Sequence, residues 1–203
     1  MGMRKEWMLA LSACVVLAGP ARAADALDVP PALAQFVPKG HTLIALERAD
    51  LDGDGRKDYL AVTQEPSSTD PAVEEADEEP GSRRLLVLIA NTDGTAYTLA
   101  AFSDKVVMCE QCGGVMGDPF IELETGKKTF TVHHYGGSAW RWSYDYTFNY
   151  SRIDKAWQLV EAREGNFHAT EPDKQEMDIY TPKDFGKVDL RNFDPYTYVK
   201  RKE

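Results

Sequence analysis

Three cysteines and four histidines are all that 203 residues provide of the softer metal ligands and common catalytic groups. No uninterrupted apolar stretch reaches the roughly 20 residues needed to span a bilayer. Positive charge is also short, with 23 Lys and Arg against 33 Asp and Glu, a net charge of −10. That balance speaks against nucleic acid, whose phosphates need a basic face, and against an anionic membrane surface; an acidic chain is steered toward basic partners. No glycine loop that cradles phosphate is present, and no Gly-x-Ser-x-Gly elbow. Ser138 follows Gly136-Gly137, which reads as a turn. The histidines are His41, His133, His134 and His168. Neighbours on a strand face opposite sides, so His133 and His134 cannot both join one site. The sequence therefore predicts no catalytic residues and no enzyme; a hydrolase with an unrecognised site is kept only as a third reading.

The N-terminus has the layout of a secretory signal. Arg4 and Lys5 precede an apolar stretch from Trp7 to Gly19, broken only by Ser12, and Pro20 and Ala21-Arg22-Ala23 follow. Cleavage after Ala23 makes residues 1–23 a signal peptide and predicts a periplasmic or secreted protein. Leu11-Ser12-Ala13-Cys14 offers a competing lipoprotein route through Cys14, although the apolar run continues beyond that cysteine. Loss of Arg4, Lys5, Arg22 and Glu6 would leave 20 basic and 32 acidic residues, a charge near −12. Residues 24–203 suit a single domain with an ordinary core. The remaining pair, Cys109 and Cys112, reads as a disulfide in an oxidising compartment. Two other readings stay open: a redox pair, which lacks the βαβ setting such pairs use, and half a zinc site, for which His133 and His134 are the candidate further ligands although their opposite faces admit only one of them.

The domain reads as mainly β, an antiparallel meander of about eight strands, either a sandwich or an incomplete propeller, with an irregular C-terminal tail. Apolar-rich runs fall at 42–49, 57–64, 84–90, 96–102, 119–124, 128–135, 139–151 and 156–162. Links such as Asn91-Thr92-Asp93-Gly94, Thr125-Gly126 and Asp154-Lys155 are too short for parallel crossovers. From Trp140 to Tyr150 every second residue is aromatic, so period two places all six rings on one face. Six rings of about 150–250 Å² each exceed what a surface leaves wet, so most of them should be core. Trp140 and Trp142, beside the Gly136-Gly137 turn, are the pair expected to reach a partner. Residues 65–82 are rich in Asp, Glu, Pro and Ser and predict a mobile acidic surface loop.

The segment Asp50-Leu51-Asp52-Gly53-Asp54-Gly55-Arg56-Lys57-Asp58 carries the chemistry. Carboxylates stand at positions 1, 3, 5 and 9 of an EF-hand-type loop, with glycine at 6 and the Arg56 carbonyl at 7. Alternate residues of a tight loop can point inward at one calcium, whose charge relieves the repulsion among the carboxylates. Asp50, Asp52, Asp54, Arg56 and Asp58 are thus the candidate metal ligands. Position 12 is Ala61, not the bidentate Glu, and the flanks read as strands. In both respects residues 42–64 resemble the strand–loop–strand calcium motif of FG-GAP (VCBS-type) repeats; propellers repeat that motif, and this chain shows it once.

A wider pattern joins the aspartate loop to Cys-x-x-Cys-Gly-Gly at 109–114 and Gly-Gly-Ser-Ala-Trp-Arg-Trp at 136–142. Together these resemble a group of bacterial envelope proteins, some of which are immunity proteins or inhibitors of peptidoglycan hydrolases. The resemblance implies a protein-binding module with a loop that plugs a basic cell-wall hydrolase. A carbohydrate- or peptidoglycan-binding module using Trp140 and Trp142 is the alternative.

Overall fold

The computed structural model describes residues 27–66 and 82–199. The predicted signal 1–23, with Cys14, lies outside them, as do residues 67–81 of the predicted acidic loop.

Among the described residues nine strands form two antiparallel sheets. The first holds β1 (Thr42–Ala49), β2 (Asp58–Gln64), β3 (Arg83–Ala90) and β4 (Tyr97–Ser103) in sequential order. The second holds β5 (Phe120–Thr125), β6 (Thr129–Gly137), β7 (Trp140–Ser151), β8 (Ala156–His168) and β9 (Glu176–Tyr180), again in order. Every strand pair is antiparallel, as the short links require. In the β3–β4 turn Asn91 Oδ1 accepts the backbone N–H groups of Thr95 and Ala96.

The two sheets share one core, which makes the fold a sandwich. Leu60, Val62, Leu85 and Val87 of the first sheet meet Phe130, Val132, Phe148, Trp157 and Leu159 of the second. The opposite face of the first sheet is also covered. Leu43, Ala61, Leu86 and Leu88 pack under Leu33, Val29 and Phe36, which precede β1. Burial on both faces explains why β2 and β3 read as continuous apolar runs.

Strand β9 falls within the segment predicted as irregular. Its alternate apolar residues, Met177 and Ile179, face solvent, so no burial pattern marks it. The tail is otherwise structural: Leu190, Phe193, Tyr198 and Val199 are buried in the shared core. Residues 182–185 form a single helical turn, α1, with Thr181 and Asp184 closing a capping box.

The aromatic face of β7 divides along its length. Tyr146 and Phe148 are buried and Tyr150 packs on the core, whereas Trp140 is 63% exposed. Burial on this face thus falls off toward the Trp140 end of β7.

Candidate functional site

Each aspartate of the 50–58 loop first serves the backbone. Asp50 accepts the N–H of Gly53 at 2.8 Å, Asp52 that of Asp54 at 3.0 Å, and Asp54 that of Arg56 at 2.8 Å. These are the local turns that short acidic side chains favour, so the loop has a shape of its own. The loop is then docked on the second sheet. Trp157 Nε1 donates to the Leu51 carbonyl at 3.1 Å, Lys128 N to that of Asp50 at 2.8 Å, and Arg152 to that of Gly53 at 3.2 Å.

This folding brings Asp50, Asp52 and Asp58 together, with one oxygen from each lying within 4.8 Å of the others, a group that can hold a metal ion. Asp54 lies outside that group and is ion-paired with Arg56. Asp58 is completely buried, and its two oxygens accept the N–H groups of Leu51 at 2.8 Å and Ala90 at 3.0 Å. Burial, with the charge of its neighbours, raises the Asp58 carboxyl above its ordinary value despite both bonds. Asp52 is raised as well, first by burial and then by the charges of Asp54 and Asp50. A cation among these oxygens would relieve both strains.

The Cys-Gly-Gly and Gly-Gly-Ser segments meet at the Trp140 end of β7. Gly137 donates its N–H to the Gly113 carbonyl at 2.9 Å. A Cβ on Gly137 would stand 2.1 Å from the Trp140 carbonyl, and one on Gly113 equally close to that of Gly117, so each of the two turns requires glycine at that position. Trp142 lies over Gly136 and stacks on Tyr144 at 4.9 Å, half-buried. The two adjacent loops leave Val115, Ala139 and Trp140 exposed, with Trp140 set edge-on to His168 at 5.2 Å. The result is an apolar tip on a glycine-locked base.

Residues 104–119, which carry one side of that tip, are tied down by groups the motif reading missed. Arg83 is fully buried; it makes two 2.6 Å bonds to Asp118, reaches Gln64 at 2.7 and 2.9 Å, and bonds the Met108 carbonyl at 3.2 Å. Gln64 in turn donates to Glu110. A signal for this was present: Arg83 shares its strand face with Leu85 and Val87, so period two places its guanidinium inward. Cys109 and Cys112 are joined in a disulfide within the same segment. His133 and His134 point apart. His133 contacts Asp145 and Glu124, while buried His134 accepts the Met108 N–H at its Nε2, 3.2 Å away.

Burial, reinforced by the nearby Arg83 charge, lowers His134 to about 4 from an ordinary 6.5. A folded value below the unfolded one means that stability is complete above pH 6.5 and is lost as pH falls toward 4. The expected loss over that range is about 3 kcal/mol, because each tenfold change in proton affinity is worth ~1.4 kcal/mol. Denaturant titrations at pH 7 and pH 4 measure it. His134→Gln, which keeps an acceptor for Met108, should flatten the dependence.

Among the described residues no helix is long and apolar enough to cross a membrane. No protein-family model matches the chain, and no curated protein matches it. Among solved structures it is similar to a Xanthomonas type IV secretion system related protein, at 11% identity and a TM-score of 0.38. That likeness covers 73% of this chain and 58% of the other. At this level the function has to be argued from the chain itself.

Proposed function

We propose that this protein is an exported, calcium-binding envelope protein that inhibits a peptidoglycan hydrolase by inserting its apolar tip into the partner. The observation that carries this reading is the exposed pair Trp140 and Val115 on a base cross-tied by hydrogen bonds and a disulfide. The glycine contact, the disulfide and the Arg83 bonds order the tip before binding, and a pre-ordered surface loses less entropy on association. Exposed tryptophan is among the strongest contributors to protein interfaces. The net negative charge suits a basic hydrolase, since opposite fields speed the encounter.

The test is cell-wall lysis by a panel of peptidoglycan hydrolases, with and without equimolar protein. Inhibition of one class is expected, and Trp140→Ala should weaken it at least tenfold, about 1.4 kcal/mol or more, with an unchanged melting midpoint. Uninhibited lysis across the panel would sink this reading. The accessible Trp140 ring also suits stacking on a sugar. Glycan fragments alone quenching its fluorescence would favour a carbohydrate- or peptidoglycan-binding module.

Calcium is the ion that the triad suits: the donors are all carboxylate oxygens, the hard ligands that calcium and magnesium prefer. Its role in this reading is to fasten the loop where the two sheets join. With an affinity of order 10⁻⁴–10⁻³ M, typical of extracellular modules, 10 mM calcium adds about 1–3 kcal/mol. That corresponds to roughly 3–10 °C in the melting midpoint. The sign with pH follows from the raised carboxyls of Asp52 and Asp58. Ion-free, these groups penalise folding as pH rises through their folded values, so the calcium gain should shrink on acidification. Asp52→Asn should abolish it. Midpoints that are the same in calcium and in chelator would refute calcium binding.

A further inference from the structure

Beside the aspartate loop lies a cleft of about 490 Å³ whose lining includes Arg48, Lys57, Lys127, Asp50 and Thr125. The three cations reach it from different places: the end of β1, the aspartate loop, and the turn between β5 and β6. Only the tertiary fold brings them together.

Several cations on the described surface sit against carboxylates, as in Arg84–Asp104, Lys105–Asp194, Arg163–Glu161, Lys187–Asp154 and Arg191–Asp189. Arg48, Lys57 and Lys127 are exposed, and none is ion-paired with a described carboxylate. Arg48 is braced from another side, with its guanidinium 5.4 Å from the centre of the Tyr59 ring. Three cations and one carboxylate, Asp50, line the hollow, a concentration of positive side chains in a protein of net charge −10, with Asp52 and Asp58 adjoining Asp50 in the triad. Such a concentration attracts anions from solution over about one Debye length, ~8 Å at physiological salt. The planar fork of an arginine matches the paired oxygens of a phosphate or carboxylate, and lysines add point charges.

We infer that this cleft is an oxyanion-binding site for a phosphate or carboxylate group, and that a divalent cation at the adjacent triad strengthens the binding. Asp50 belongs to both the cleft and the triad, so an ion held there adds positive charge to the same wall. The cationic site stands without the calcium reading, whereas the enhancement by metal rests on it.

The experiment is a calorimetric titration of the full chain at low ionic strength with methyl phosphate and with glucuronate, in chelator and then in calcium. Saturable binding in chelator is expected, weakened at least tenfold by Arg48→Ala/Lys57→Ala/Lys127→Ala and unchanged by Lys39→Ala/Lys183→Ala. All five side chains are solvent-facing, and an unchanged melting midpoint verifies that the variants fold. Tighter methyl phosphate assigns the site to phosphate-bearing ligands, and tighter glucuronate to carboxylate-bearing ones. Failure of both probes to bind in chelator, or equal loss in the control variant, overturns the site. Binding in chelator that calcium does not improve upholds the cationic site and overturns its coupling to the metal.

Discussion

Asp58→Ala is expected to destabilise the protein by about 2–3 kcal/mol in chelator, before any loss of calcium binding is added. Two buried N–H groups, those of Leu51 and Ala90, lose their only described acceptor, and each orphaned donor costs about 1–3 kcal/mol. The raised pKa of Asp58 shows that holding its charge in the interior opposes folding, which keeps the expected loss in the lower half of the summed range. Asp58→Asn retains one acceptor and should lose roughly half as much. Asp52→Ala removes a partly exposed group bonded only within the loop, so in chelator its cost should stay within about 0.5 kcal/mol. Urea denaturation of the three variants, with and without calcium, makes the comparison. If Asp58→Ala proved as mild as Asp52→Ala in chelator, the structural role assigned to Asp58 would be wrong.

Arg83→Met should cost more, about 3–5 kcal/mol, the range found when one partner of a buried ion pair is removed. The loss has two origins. Asp118 keeps a largely desolvated charge without its counter-ion, and Gln64 and the Met108 carbonyl lose donors. The double variant Arg83→Met/Asp118→Leu should recover part of the stability, because it removes the stranded charge as well. Hydrogen exchange offers a second readout. Residues 104–119 should lose protection in Arg83→Met beyond what global destabilisation explains, because Arg83 binds that segment at both Met108 and Asp118. Retained protection there would leave the arginine a core group with no part in ordering the tip.

Taken together, these variants separate two kinds of aspartate that look alike in the linear pattern. Asp50, Asp52, Asp54 and Asp58 are similar acids in a regular spacing. In the fold Asp58 is a buried backbone ligand, Asp54 is the ion-pair partner of Arg56, and Asp50 and Asp52 keep partial exposure beside it. The expectation of five ligands came from spacing, which records which residues can point inward. It does not record that the fold gathers Asp50, Asp52 and Asp58 while Asp54 pairs with Arg56.

Much of the architecture was legible beforehand because its causes are local. Period-two alternation assigned the faces of β7, Gly and Asn-Asp turns set antiparallel neighbours, and an even pair of cysteines in an exported chain marked the Cys109–Cys112 disulfide. Strand β9 escaped because its apolar side chains face solvent, where no burial pattern is imposed. Arg83 escaped because a charged residue at the start of a strand is ordinarily taken to be exposed, and its partner Asp118 lies 35 positions away.

By itself, then, the sequence determined the class of the fold, the order of its strands and the aspartate loop, all products of contacts between near neighbours in the chain. The tertiary structure alone decided which of six aligned rings became core and which became the exposed tip, with Tyr146 and Phe148 meeting Phe193 of the tail while Trp140 stays open. It alone joined Gly113 to Gly137 and gathered Arg48, Lys57 and Lys127 around one cleft. The physical reason is the same in each case: burial and electrostatic potential are set by what packs across from a residue, and that surface comes from a distant part of the chain.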